Sequence, residues 1–159
     1  MLSNARIHLH LLFTNPVFLS CIFSWFSAQF IKTIISLFLG KIHSIKHLFE
    51  LLLWRTGGMP SSHTALVSSL CTTIGFRAGI NSDIFILAFC FMMVVIRDAL
   101  GVRRSSGIQA KRLNELGRNF EEQTGVKFVP VKEVQGHKPM EVVIGAILGI
   151  SIGVAFSIF

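Results

Sequence analysis

Two histidines in this chain stand among residues that could do chemistry on a phosphoryl group. His63 belongs to the run Arg55-Thr56-Gly57-Gly58-Met59-Pro60-Ser61-Ser62-His63-Thr64-Ala65, and His137 to Gly136-His137-Lys138-Pro139-Met140-Glu141-Val142. In the first run, two glycines and a proline set up a turn. Pro60, Ser61, Ser62 and His63 are then expected to begin a helix, with Pro60 in the first position, where its missing N–H has no intrahelical partner to lose. The first turn of a helix offers N–H groups and the positive end of the dipole to an anion. Two hydroxyls, an imidazole and the Arg55 guanidinium make phosphate the expected anion. In the second run, Glu141 follows His137 by four residues across a helix start. A carboxylate one turn from an imidazole can accept its N–H, fix the tautomer and stabilise the imidazolium. A histidine nucleophile or base needs that support.

These residues must be positioned by a membrane-embedded scaffold. Of 159 residues, 52% are apolar and only 14% charged, and the apolar residues fall in blocks of roughly 17–24, the length that crosses a bilayer as a helix. The expected fold class is all-α: an integral membrane helical bundle, one domain over residues 1–159, with about four transmembrane helices at 16–39, 60–76, 84–100 and 140–159. A short amphipathic helix within 40–54 is expected to lie in the interface. Its His43 and His47 read as solvated face residues. The opening 15 residues are mixed, and the apolar run after them is too long for a signal peptide. Cys21, Cys71 and Cys90 lie inside apolar blocks without metal-ligand spacing, so no metal and no cofactor are expected.

Gln29, Lys32 and Ser36 form one polar stripe at helical spacing in the first span. Lys32 either snorkels toward the Gly40 end or serves a site, since ionisable residues within a span are costly. In the hydrophilic segment, Ser105-Ser106-Gly107 is expected as a turn. Residues 108–123 should form a helix with Leu113, Leu116 and Phe120 as its apolar positions, followed by a loop over 125–130. Gly145, Gly149 and Gly153 recur every four residues, a spacing that admits a close helix backbone either within the bundle or across a dimer seam.

Four spans place loops 40–59 and 101–139 on one side. That side carries Lys41, Lys46, Arg55, Arg103, Arg104, Lys111, Arg112, Lys132 and Lys138, against Arg6 and Arg77 on the other. The positive-inside rule puts these loops in the cytoplasm, as in a bacterial-type inner (plasma) membrane. The net charge of +7 therefore belongs to loops facing anionic lipid, and no nucleic-acid partner is expected. His63, Asp98 and His137 all arrive at this face, with Lys32 reaching toward it. Such a cationic pocket at headgroup depth fits a lipid phosphate or diphosphate. Asp98 either serves the site or pairs with Arg97, Arg103 or Arg104.

The second- and third-motif runs, together with Asp98-Ala99-Leu100-Gly101-Val102-Arg103-Arg104, Ser24-Trp25 and Ala28-Gln29-x-x-Lys32, resemble the divergent branch of the type 2 phosphatidic-acid phosphatase superfamily. The resemblance covers about Trp25 to Gly149. It implies a metal-independent lipid phosphate phosphatase working through a phosphohistidine. His137 would be the nucleophile, Glu141 its orienting acid and His63 the proton donor to the leaving group. Ser61, Ser62 and backbone N–H groups would hold the phosphoryl oxygens, and Lys32 matches the first-motif lysine. No Arg-Pro pair follows Lys32, and no Ser-Arg precedes His137. Arg55, Arg103, Arg104 or Lys132 would have to supply the missing positive charge, with Asp98 and Gly136 in support. Four spans, where the main family has six, argue for a homodimer that completes the walls. The departures leave a second reading open: a catalytically inactive member that binds anionic lipid or a protein partner through the same pocket.

Overall fold

A computed structural model of the protein describes residues 2–40, 58–133, 136 and 138–158. Six helices account for most of them: α1 (Leu2–Phe13), α2 (Pro16–Phe38), α3 (Ser62–Ala78), α4 (Asp83–Arg97), α5 (Arg103–Thr124) and α6 (Pro139–Ile158). A π-helical turn, Asp98–Val102, joins α4 to α5. The interfacial helix expected within 40–54, with His43 and His47, lies outside the described residues.

The helix starts follow from local chemistry. Asn15 caps α2, its Oδ1 accepting the Val17 N–H at 2.9 Å, and Pro16 takes the first helical position. Ser82 caps α4 in the same manner. At α3 the expectation needs correction. Ser61 is the N-cap and the helix begins at Ser62, so Pro60 precedes the cap. The reason is that Ser61 Oγ can accept from Thr64, the third helical residue, which serine does well and proline cannot. Lys138 stands before α6 with Pro139 first in the helix, and its N–H donates to Glu141 Oε2 at 3.2 Å. That contact is half of a capping box.

A second correction concerns Ser105, Ser106 and Gly107. They are helical, and α4, the π turn and α5 form one run of 42 residues. The Arg103 N–H donates to the Asp98 carbonyl, five residues back, so backbone hydrogen bonding never lapses. One glycine costs a helix only about 1 kcal/mol, too little to break it there.

Among the described residues, three helical segments are long and apolar enough to cross a membrane: Pro16–Phe38, Asp83–Thr124 and Pro139–Ile158. The second owes this to α4, because α5 is polar. The segment expected at 60–76 is a different kind of element. Helix α3 is rich in Ser and Thr and packs on α2, α4 and α6 together, which shield it.

The bundle is held by small residues repeating every four positions. On α3 they are Ser61, Ala65, Ser69 and Thr73, all fully buried; on α2, Ser20, Ser24, Ala28 and then Lys32. The third stripe is Gly145, Gly149 and Gly153 of α6. A Cβ on Gly145 would stand 2.5 Å from the Ser61 carbonyl oxygen, and one on Gly149 would stand 2.2 Å from that of Ala65. A Cβ on Gly153 would meet Thr72 Cβ at 2.8 Å. The glycine stripe is therefore spent inside the bundle, and α3 and α6 run parallel from a common face. Helix α2 runs antiparallel to α3: the Ser20 and Thr73 hydroxyls bond at 2.9 Å, while the Lys32 stem lies against Gly58.

Two consequences can be measured by thermal unfolding in detergent. Gly149→Ala forces α3 and α6 apart and is expected to cost about 1–3 kcal/mol, the usual range for overpacking; an unchanged melting point would contradict the contact. Thr73→Val removes the bond to Ser20 and should cost about 1 kcal/mol. Ser69 Oγ is buried without a hydrogen-bond partner among the described residues, so Ser69→Ala should be neutral or stabilising, because it removes only a desolvated hydroxyl.

Candidate anion site at the shared helix face

The second and third motifs meet through their backbones. The Ser61 N–H donates to the Glu141 carbonyl at 2.9 Å, which sets the first turns of α3 and α6 side by side. Both helices point their N-termini at this face, so two positive dipole ends sum there. Ser61 is fully buried, and its Oγ accepts from the Thr64 N–H and bonds the Thr64 hydroxyl at 3.0 Å. Its side chain thus builds the cap. Ser62 is buried beside it, and His63 is half-buried on the first turn.

Lys32 enters from α2 and is only 3% exposed. Snorkelling is therefore not its role. Its Nζ donates to Gln29 Oε1 at 3.1 Å, and the Glu141 carboxylate acts on it electrostatically. Gly58 holds a positive φ of 85°, which favours glycine, and its open side admits the Lys32 methylenes, with Cγ 3.7 Å from where a Cβ would be. The polar stripe read from Gln29 and Lys32 is real, and Thr33 extends it by donating to the Gln29 carbonyl at 2.8 Å.

The π turn lies against α6. Asp98 and Arg103 are five residues apart, which in an α-helix would separate them by roughly 140° around the axis. A π turn closes i to i+5 and brings the Arg103 guanidinium onto Asp98 Oδ2. Of the partners open to Asp98, Arg103 is the one taken. Arg104 is exposed, and its backbone is crossed by Gly136: a Cβ there would stand 2.2 Å from Arg104 Cα. Only glycine fits this crossing.

Lys32, Ser61, Ser62, His63 and Glu141 are thus brought together, and Gly136 meets Arg104 on the way into α6. Lys132 is set apart. It lies on an exposed stretch fastened near Asn114, about 15 Å along α5 from Arg104 at the helical rise. Arg55 and His137 lie outside the described residues. Residues the sequence reading passed over hold the return segment. Asn114 is 4% exposed, donates to the Val131 carbonyl and Glu133 Oε1, and accepts the Val131 N–H, each at 2.9 Å. Phe128 fills the space above Gly117. The signal available for this was Gly117 itself, since a glycine inside a helical pattern costs stability and usually marks a close contact.

With this geometry in hand, comparison with known proteins gives the family. The profile described as the divergent PAP2 family matches residues 13–152. The chain belongs to the divergent PAP2 family. It is 33% identical to an uncharacterized membrane protein, YuiD of Bacillus subtilis strain 168, over 93% of this chain and 98% of that one. No solved structure matches. Membership accords with an all-helical membrane bundle and with motifs that converge on one face. In this divergent PAP2 protein Lys32 is buried, and the first turns of α3 and α6 lie side by side.

A buried lysine kept for a ligand leaves a distinctive signature. Replacing both members of a buried charge pair with neutral groups of similar volume is often neutral or stabilising, whereas removing one alone costs about 3–5 kcal/mol. Lys32→Met combined with Glu141→Gln should leave the melting point within about 1 kcal/mol of native or above it, while binding of inorganic phosphate or vanadate falls by at least about tenfold. A large loss of stability would instead make Lys32 a structural partner of Gln29 and Glu141.

Proposed function

We propose that this divergent PAP2 protein is a metal-independent phosphatase that removes phosphate from a membrane lipid phosphate or diphosphate. The observation that carries the proposal is the Ser61–Glu141 backbone bond. It sets the first turns of α3 and α6 side by side, and with the buried Lys32 this supports an anion site between them.

The reaction follows from the residues. A nitrogen of His137 attacks phosphorus in line, forming the N–P bond as the P–O bond to the lipid breaks. Protonated His63 gives its proton to the leaving oxygen. Water then attacks the phosphohistidine while His63 takes a proton from it, releasing inorganic phosphate and restoring both histidines. Lys32 and the α3 first turn stabilise charge on the equatorial oxygens, where phosphoryl transfer needs most of its help. Glu141 serves twice, capping α6 through Oε2 and placing negative charge beside the cations. Arg103 is half-neutralised by Asp98, which leaves Arg104 and Arg55 to replace the absent motif arginines. The positive-inside count puts this face in the cytoplasm, and a second copy would complete the walls of so small a bundle.

Purified protein in detergent with EDTA should release phosphate from at least one of phosphatidic acid, phosphatidylglycerol phosphate and a polyprenyl diphosphate. His137→Ala should abolish release, with a loss of at least about 10³-fold. Release that survives this substitution would remove His137 as nucleophile. Stable lipid binding without release would favour the inactive, lipid-binding reading.

A further inference from the structure

The described residues ahead of the third motif, 125–133 and 136, form a strap that α5 holds at several points. Gly125 ends α5 with a positive φ of 70°, and the chain turns back along the helix it has just left. The Phe128 N–H donates to Glu121 Oε2 at 3.3 Å, and its ring sits over Gly117. Val131 and Glu133 are fastened to Asn114. Gly136 finally crosses Arg104. The lengths agree: the 20 residues from 104 to 124 rise about 30 Å as a helix, and the 11 residues from 125 to 136 can reach at most about 36–40 Å. The strap therefore has little slack, and its anchors fix where it ends.

Asn114 is the central anchor. Its carboxamide meets both backbone groups of Val131, as a neighbouring β-strand would, and spends its second N–H on Glu133. Every hydrogen-bonding group of that side chain is in use and buried. Helix α5 itself gains nothing from the asparagine, a poor helix former. What Asn114 fixes is the register of the strap on the helix, and the next fixed points are Gly136 on Arg104 and Glu141 on Ser61. His137 lies between these two in sequence.

We infer that Asn114 is a positioning residue for the third motif: by locking residues 131–133 onto α5, it sets how the segment leading into His137 enters the site. The inference rests on the phosphatase reading for its catalytic consequence, but the tether itself can be read without any activity.

The test uses the full chain in detergent, with phosphatidic acid as the probe and amide hydrogen exchange as a second readout. Asn114→Ala should lower kcat by about 10- to 100-fold, the scale of a 1 Å misplacement, with KM changed less than about threefold. Exchange over 128–136 should quicken at least about tenfold while α3 and α6 keep their protection. Asn114→Asp should do the same, because it sets a carboxylate against Glu133. The double variant Asn114→Asp with Glu133→Gln restores a donor facing an acceptor and should recover part of both kcat and protection. Native kcat in Asn114→Ala, or exchange that quickens equally in α3 and α6, overturns the inference. If the native protein releases no phosphate from any lipid, the phosphatase reading fails separately. The tether is then judged by exchange alone: protection of 128–136 lost in Asn114→Ala upholds it, and protection retained overturns it.

Discussion

Close approach of helix backbones is the constraint from which the rest of this structure follows. In lipid there is little hydrophobic gain from putting one helix against another, so packing and polar contacts must do it. The glycine stripe of α6 lets the α3 backbone come within contact of it at Ser61, Ala65 and Ser69. That proximity is what allows the Ser61 N–H to reach the Glu141 carbonyl. Thr73 of α3 links its two neighbours, its hydroxyl bonding that of Ser20 on α2 and donating to the Gly153 carbonyl on α6. A bundle of bulky side chains would have kept these helices apart and the two motifs separate.

The same closeness accounts for the buried charge. An ammonium is tolerated inside a span only if polar atoms surround it. Lys32 has the Gln29 carboxamide, the field of Glu141 and the open backbone of Gly58 against its stem. Catalysis of phosphoryl transfer asks for fixed charge that need not reorganise, and a lysine locked between three elements satisfies that demand better than one free at the surface. On the proposed phosphatase reading, stability and chemistry pull in opposite directions at this residue.

What could be read from the sequence was whatever depends on neighbours along the chain. The four-residue recurrence of glycine, the polar stripe through Gln29 and Lys32, and the run Pro60-Ser61-Ser62-His63 each carry their meaning in spacing, and each took part in the observed fold. Misreadings arose where a distant contact decides. Leu113, Leu116 and Phe120 are the apolar positions of their helix, yet they are exposed while Asn114 and Gly117 are buried, a pattern that spacing alone does not give. The strap, not the bundle, covers α5, and it selects the polar face because it brings backbone groups that need partners. Pro60 lost the first helical position for a reason visible only in the hydroxyl geometry of Ser61. Ser105-Ser106-Gly107 failed as a turn because the hydrogen bonding of the preceding π turn carried the helix through.

A π turn is what a single extra residue leaves behind in an α-helix. On either side of Asp98–Val102, α4 and α5 keep separate angular phases. The phase of α4 is set by Ala88 against the bundle, and that of α5 by Asn114 against the strap. Deleting one residue from the turn would leave both helices continuous and equally hydrogen-bonded. It would also swing α5 and everything fastened to it by roughly 100° about the axis. The arm that carries the third motif is thus aimed by an insertion, and its direction is stored as a count of residues.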